Sequence, residues 1–341
     1  MSGRRGSILI LALWSITVFA VFAVSLGAVA RQKITLGSRL EASERLYAIA
    51  FCGIERARAE VLNDAPDDLD AAADVWGNVK SSFSEIQAGG GTFTVGYAAA
   101  GTDGKPDPRF GAEDEERKVN LNKAEPAVIQ RVLESAGVGR DAAEDLSQCI
   151  VDWRDGDSAF QHAQYGAEDA YYDDLPLPYA CKDAPLESLD ELLLIKGMKR
   201  DIFDKIKPYV TVWGSGSVNI NTAYPQTLEA LGLDRRTVEK IIAYRAGADE
   251  KDGTGDDVVF PQAQAIVQML DRAVPPLDAG ERAAVSNLIL GEKLGTISSY
   301  FSAKSRGKAA GPAWMEIEAV MDRAGKVHYS RSSGVQWPSK G

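Results

Sequence analysis

The stretch MSGRRGSILILALWSITVFAVFAVSLGAVARQK (residues 1–33) joins a short basic leader to a long apolar segment. Arg4 and Arg5 precede Gly6, and residues 7–30 carry no charged side chain. At about 1.5 Å per residue, a helix of that length crosses a bilayer, whereas the apolar part of a secretory signal is shorter. The alternative is a signal peptide cut near residue 30. We favour a retained membrane anchor with the two arginines on the cytoplasmic side.

The apolar helix is predicted to continue beyond the membrane as an amphipathic stem. No proline occurs between residues 34 and 62, and Pro66 is expected to stop the helix. Apolar residues in this region recur at spacings of three, four and seven, which places them on one helical face. We expect partner subunits to bind that face, which contains Leu36, Leu40, Tyr47, Ile54 and Val61.

The composition of the 341-residue chain argues against some classes of function. Its formal net charge is −11, and an acidic surface disfavours nonspecific binding to nucleic acid. Three cysteines are too few for a disulfide framework. Two interpretations stay open for Cys149 and Cys181: a single disulfide in an exported body, or two buried free thiols.

An internal repeat marks the middle of the chain. Residues 119–126 read VNLNKAEP, and residues 218–225 read VNINTAYP. In each copy we expect a short extended piece, then a helix that is capped by the second asparagine (Asn122 or Asn221) and accepts proline in its first turn. The intervening sequence predicts a helix–turn–helix pair with its turn at Gly197. Together these patterns predict a helical region from residue 122 to residue 291.

Such helix pairs resemble helix-hairpin-helix modules, which bind DNA backbones through the amides of their turns. The alternative function is therefore a membrane-anchored DNA-binding receptor. The turns around Gly197 and Gly232 lack a clear pair of glycines, and the chain is acidic. We favour a scaffolding role for these helices and expect no nucleic acid partner.

Alternating apolar sequence flanks the helical region and predicts strands. We expect one strand at residues 91–100 before it, and a meander at residues 296–305, 313–323 and 326–337 after it. The predicted fold class is α+β. A long N-terminal transmembrane helix packs on a small antiparallel, pilin-like sheet, and a large all-α domain with helix-hairpin-helix-like repeats is inserted into that sheet.

The leader resembles that of type IV pilins and pseudopilins. The resemblance implies that a prepilin peptidase cuts between Gly6 and Ser7 and that the apolar helix stays on the mature protein. That family usually carries glutamate at the fifth mature position, where this chain has Leu11. A carboxylate in an apolar helix needs a partner, so its replacement points to a special position in the filament, such as the tip.

The order of these segments, together with DWRDGDSAFQHAQYGAEDAYYDDL at residues 152–175, resembles the K-type minor pseudopilins of the type II secretion system. The resemblance implies a subunit at the pseudopilus tip that helps to initiate or cap assembly for export of folded proteins across the outer membrane. It implies an inner-membrane anchor, a periplasmic body, and I-type and J-type minor pseudopilins as partners. The corresponding domains are a leader (1–6), a transmembrane and stem helix (7–62), two pilin-like parts (63–121 and 292–341) and the insert (122–291).

The sequence predicts no enzyme. Its two histidines, His162 and His328, lie far apart in the chain and belong to no catalytic motif. Surface positions are the expected locations for both.

The acidic loop after the first repeat is the candidate metal site. Carboxylate oxygens suit Ca²⁺, although the loop has no EF-hand register, and an acidic loop can equally be a solvated surface. The K-type resemblance implies calcium in the helical domain. The predicted calcium ligands are Asp152, Asp155, Asp157, Glu168, Asp169 and Asp173.

Overall fold

The computed structural model describes residues 5–64, 68–100, 106–156 and 166–336. Helix α1 (Arg5–Asn63) runs without a break through the apolar segment and the stem. Its apolar part is long enough to cross a membrane, and none of that part is buried within the protein. The predicted long N-terminal helix is therefore confirmed.

The elements that follow α1 are short. The helices are α2 (Lys80–Phe83), α3 (Pro126–Ser135), α4 (Arg140–Arg154), α5 (Asp169–Asp173), α6 (Arg200–Ile206), α7 (Pro225–Ala230), α8 (Arg235–Arg245), α9 (Ile266–Leu270) and α10 (Ala279–Leu290). The strands are β1 (Ile86–Ala88), β2 (Gly91–Val95), β3 (Tyr97–Ala100), β4 (Pro106–Arg109), β5 (Glu113–Asp114), β6 (Val119–Asn120), β7 (Val210–Thr211), β8 (Val218–Asn219), β9 (Leu294–Gly295), β10 (Tyr300–Lys308), β11 (Trp314–Asp322) and β12 (Val327–Ser332).

The pilin-like part is a six-stranded antiparallel sheet. Its strand order is β1-β2-β10-β11-β12, and β5 pairs with β10 beside this path. Ile317 and Ala319 of β11 point to one face, where they form a buried cluster with Ile54 and Ala57 of α1. The sheet thus covers the C-terminal part of the stem, which confirms the predicted α+β plan.

The predicted strand at residues 91–100 is divided in two. Gly96 separates β2, which joins the main sheet, from β3, which pairs with β4 in a separate hairpin. A Cβ atom at Gly96 would lie 2.4 Å from the carbonyl oxygen of Arg109. The two strands separate here because only glycine permits this close approach of the two backbones.

The last part of the chain joins the sheet later than predicted, at Tyr300 rather than at residue 296. The carbonyl of Thr296 accepts a hydrogen bond from the amide of Asp70 at 2.8 Å. The amide of Ser298 donates to Asp70 Oδ2 at 2.6 Å. Residues 296–299 therefore bind the loop that follows the stem instead of extending β10.

The insert consists of two lobes with separate apolar cores. The first lobe contains α3 to α6 and is closed where β6 pairs with β7; the second contains α7 to α10 and is closed where β8 pairs with β9. Both pairs are parallel. The expectation of an all-helical region from 122 to 291 was wrong at β7 and β8, because each lobe joins its first and last segments through a two-residue parallel ladder.

Candidate functional site

The second asparagines of the two repeats make matching contacts in the two lobes. Asn122 Oδ1 accepts from the amide of Leu186 at 2.8 Å, and Asn122 Nδ2 donates to the carbonyl of the same residue at 2.9 Å. Asn221 holds Phe260 in the same way, at 2.8 and 3.0 Å. Each second asparagine therefore binds both the amide and the carbonyl of one residue that is far away in the sequence.

The prediction that these asparagines cap helices was wrong. The residues that precede α3 and α7 are Glu125 and Tyr224, and neither makes a side-chain cap. The prolines do occupy the first helical turn, as predicted. The asparagine side chains instead connect distant segments of each lobe, because an amide group supplies both a donor and an acceptor for the backbone of one residue.

The first asparagine of the second repeat lies at a junction of four chain segments. Asn219 is fully buried, and its Nδ2 group lies 3.1 Å from the carbonyl of Asp70, 3.1 Å from Asp114 Oδ2 and 2.9 Å from Ser298 Oγ. Arg323 forms an ion pair with Asp70 in the same region. This junction fastens the second lobe to the pilin-like sheet and to the loop after the stem.

Buried charges surround the point where the chain enters the insert. Burial favours the neutral acid at Glu113, but Lys118 and Arg117 hold its pKa below the ordinary value. Burial, reinforced by the charge of Asp114, raises the pKa of Glu116 to about 8. Glu116 Oε2 nevertheless accepts from the amide of Tyr300 at 3.1 Å. These groups join the sheet to the segment through which the chain enters the insert.

In the turn at Gly197, the basic side chain of Lys196 is engaged in contacts within its own lobe. Lys196 Nζ donates to the carbonyl of Gly166 at 3.0 Å and lies 5.3 Å from the ring centroid of Tyr171. Gly197 itself has a φ of +81°, which suits glycine. Lys196 is thus engaged inside the lobe, and the DNA-binding alternative is not supported.

The acidic loop brings together a different group from the one predicted. Donor atoms of Glu168, Cys181 and Asp183 lie within 4.8 Å of one another. Of the five predicted calcium ligands that lie in the described part of the chain, Glu168 alone belongs to this group. Sequence reasoning missed Cys181 and Asp183 because no local spacing connects them to Glu168.

The other predicted ligands have different positions. Asp152 Oδ2 accepts from the amide of Ala167 at 3.0 Å, and Asp169 Oδ1 accepts from the amide of Cys181 at 2.8 Å. Asp155 follows the end of α4, and Asp173 ends α5. Asp157 lies outside the described residues, as does His162.

Of the two interpretations left open for Cys149 and Cys181, the structure has the second, because both cysteines are buried free thiols. The thiol of Cys149 lies 3.9 Å from Asp145 Oδ1, and that of Cys181 lies 3.8 Å from the carbonyl of Asp152. Burial raises the pKa of each thiol to about 12, so both are protonated at neutral pH. Each sulfur has its own neighbour, and the structure contradicts the bridge.

The predicted partner-binding face of the stem is only partly exposed. Leu36, Leu40 and Tyr47 are exposed, the last two by 58% and 43%. Ile54 and Val61 are each 1% exposed, because they pack on the sheet of their own chain. Their assignment to a docking surface was wrong.

The exposed apolar residues of the stem lie on one side of the helix. At about 100° per residue, Leu36, Leu40, Tyr47 and Phe51 fall within an arc of about 60°. Ile54 has the same angular position as Leu36 and Val61 lies about 20° away, but both are further along the axis, where the sheet covers the helix. The ring of Phe51 is 43% exposed and lies 6.1 Å from that of Tyr47. We call Leu36, Leu40, Tyr47 and Phe51 the stem arc.

Comparison with known proteins identifies a relationship over the first lobe. Residues 111–215 match the family model described as Type II secretion system (T2SS), protein K. The resemblance to that family is confirmed. The type II secretion system protein K of Aeromonas hydrophila is 40% identical over 98 residues, which are 27% of this chain and 29% of that protein. The K protein of Pectobacterium carotovorum is 32% identical over 97 residues, which are 28% of this chain and 29% of that one.

The matched segments therefore span less than a third of the length of these K relatives. Over a larger part of the chain, the similarity to a solved structure is one of fold. The crystal structure of the GspK–GspI–GspJ complex from enterotoxigenic Escherichia coli contains a chain with a TM-score of 0.59 and 16% identity. The alignment covers 91% of this chain and 99% of that chain. The region matched to the K family model contains the first asparagine repeat, the acidic loop and both buried cysteines.

Proposed function

We propose that the protein is a minor pseudopilin of the type II secretion system. The observation that carries the proposal is the match of residues 111–215 to the protein K family, in a chain whose first helix is 59 residues long and begins with an apolar segment. We further propose that it helps to initiate or cap the pseudopilus for export of folded proteins across the outer membrane. In this role its two lobes act as a scaffold rather than as an enzyme.

We propose the pseudopilus tip as its position. Leu11 stands where a pilin-type subunit usually carries glutamate, and an apolar residue there cannot pair with the amine of a neighbouring subunit. The two lobes also add bulk to the pilin-like sheet, which would obstruct subunits stacked above it. Both features suit a terminal subunit.

The proposed topology is a single inner-membrane span with a periplasmic body. In the pseudopilin family the leader is cut on the cytoplasmic side, which would place Arg4 and Arg5 there. Prepilin peptidase would cut between Gly6 and Ser7, both of which lie in α1. The mature chain would then begin with the apolar helix.

The partners proposed are the I-type and J-type minor pseudopilins, because the chain of similar fold comes from a complex with GspI and GspJ. The test is co-expression of the tagged full chain with both partners, followed by purification from detergent-solubilised membranes. We expect the three proteins to co-purify and the intact mass of the tagged chain to begin at Ser7. Absence of both partners, or retention on duplex DNA, would contradict the proposal.

We also propose that the acidic loop binds calcium. Glu168 and Asp183 provide hard carboxylate oxygens within 4.8 Å of each other, which fits Ca²⁺, whereas the thiol of Cys181 is a ligand for softer metals. Glu168 is almost fully buried, so a bound cation would offset its charge. The cation would join the segment after α4 to the segment around Asp183.

Removal of calcium is expected to lower the melting temperature of the full chain. A ligand that binds only the native state contributes about 2.7 kcal/mol at a hundredfold excess over its Kd. Thermal melts with EDTA, Ca²⁺ or Mg²⁺ measure the effect, and Mg²⁺ is expected to replace Ca²⁺ poorly. Glu168→Gln and Asp183→Asn should abolish the response, while Asp173→Asn, in the same loop but outside the group, should retain it. Equal melts of metal-free and Ca²⁺-supplied protein would exclude the site.

A further inference from the structure

The part of α1 that follows the apolar segment carries an unusual run of charge. Arg31, Lys33 and Arg39 lie within nine residues, and the first acidic residue of the chain is Glu41. Every side chain from residue 31 to residue 40 is exposed. The three cations are therefore not neutralised by neighbours along the helix, although the protein as a whole is strongly acidic.

The three basic residues surround the helix instead of lining one side. At about 100° per residue, Arg31 and Lys33 point about 160° apart, and Arg39 lies on the other side of the helix, about 80° from Arg31 and about 120° from Lys33. A neighbouring helix contacts only one face, so it would leave at least one of these charges unpaired. A ring of charge suits surroundings that enclose the helix on all sides.

The side chains lean towards the apolar segment. In an α-helix the Cα–Cβ bonds tilt towards the N-terminus, which in α1 is the direction of the apolar residues. Arg31 shows this orientation, because its Nη1 atom lies 3.9 Å from the position that a Cβ atom of Gly27 would occupy. The guanidinium group thus reaches back by a full helical turn.

The distances along the axis match the thickness of a bilayer interface. Arg31 and Lys33 follow Ala30 directly, and Arg39 lies about 14 Å beyond it at about 1.5 Å per residue. The headgroup region is about 5–7 Å thick on each side, and a long basic side chain can extend back towards it. All three cations can therefore reach phosphate groups at the surface of a membrane that α1 crosses.

We propose that Arg31, Lys33 and Arg39 form a basic collar that binds anionic phospholipid headgroups where the helix leaves the bilayer. The proposal rests on the membrane span proposed above. Removal of the leader would take away Arg4 and Arg5, so the collar would supply the basic side chains that remain beside the span. Its binding to lipid phosphates would then hold the helix at a fixed depth before assembly.

The test measures which lipids the full chain retains. The protein is reconstituted into vesicles of equimolar phosphatidylglycerol and phosphatidylcholine, recovered in mild detergent, and its bound lipids are quantified by mass spectrometry. We expect enrichment of phosphatidylglycerol in the wild type and a decrease of about fivefold or more in R31Q/K33Q/R39Q, since each basic residue near an anionic surface contributes about 1 kcal/mol, or fivefold. High salt should reduce the enrichment in the wild type.

A matched control changes the same amount of charge elsewhere. R200Q/R235Q/R282Q removes three exposed arginines from the two lobes, each from a surface ion pair, and should leave the enrichment unchanged. Equal enrichment in the wild type and the collar variant would overturn the proposal, as would a variant that retains its lipids but loses the partner pseudopilins. Resistance of the wild type to alkaline extraction is scored separately, because its failure would contradict the membrane span itself.

Discussion

Truncation of Ile54 to alanine is expected to lower the free energy of unfolding of the body by about 2–5 kcal/mol. Little effect is expected at Leu40, although it belongs to the same apolar pattern of the stem. Ile54 is 1% exposed and packs with Ala57, Phe93 and Ile317 in the cluster between stem and sheet. Its truncation removes buried surface and leaves a cavity. Leu40 is 58% exposed, so Leu40→Ala should change stability by no more than about 0.5 kcal/mol. Thermal or denaturant unfolding of the full chain in detergent measures both.

The same pair of variants separates folding from assembly. If the stem arc binds partner stems, Leu40→Glu should abolish co-purification with the I-type and J-type pseudopilins while the melting temperature is retained. Ile54→Ala, in contrast, should lower the melting temperature of the chain itself, because its effect is on folding. Partner binding that survives Leu40→Glu and Tyr47→Glu would exclude the stem arc as the docking surface. An unchanged melting temperature for Ile54→Ala would contradict the packing of stem on sheet.

Asn219→Ala is expected to destabilise the protein by about 2–5 kcal/mol. The substitution removes an amide that donates to Asp70, Asp114 and Ser298 in a fully buried site, and it also removes the acceptor for the amide of Asn221. Buried groups left without a partner cost about 1–3 kcal/mol each. We expect the loss to appear as a lower melting temperature and as increased proteolysis between the second lobe and the sheet.

An exposed asparagine provides the control for this substitution. Asn287 lies on the exposed side of α10, and Asn287→Ala should alter stability by less than about 0.5 kcal/mol. Asn219→Asp is a useful second variant, because it keeps the shape but places a carboxylate beside Asp70 and Asp114. A melting temperature of Asn219→Ala equal to that of Asn287→Ala would show that the junction does not fasten the lobe.

Several features of the fold follow from local sequence. An apolar segment without proline predicts α1, because helical periodicity depends on residues three and four apart. Pro126 and Pro225 occur in the first turn of α3 and α7 for an equally local reason, since the missing amide is not needed there. The repeated asparagines also indicated two related units, even though their role as caps was assigned wrongly.

The candidate sites depend on contacts that local patterns do not contain. Asn122 finds its partner 64 residues away at Leu186, and Asn219 finds Asp70 at a distance of 149 residues. Asp183 reaches Glu168 only after α5 and the following segment have turned back. Neither an acidic run nor the spacing of two cysteines specifies which atoms approach each other, because the packing of the lobe determines it.

The sequence by itself thus determined the long helix, the basic leader, the repeat and the α+β class, all of which arise from composition and short-range periodicity. The tertiary structure decided which part of the stem is covered, which carboxylates approach Cys181, and what each repeated asparagine binds. The physical reason is clearest on the stem. Leu40 and Ile54 have equivalent positions in an isolated amphipathic helix, and only the sheet that packs against one side makes the second a core residue and leaves the first exposed.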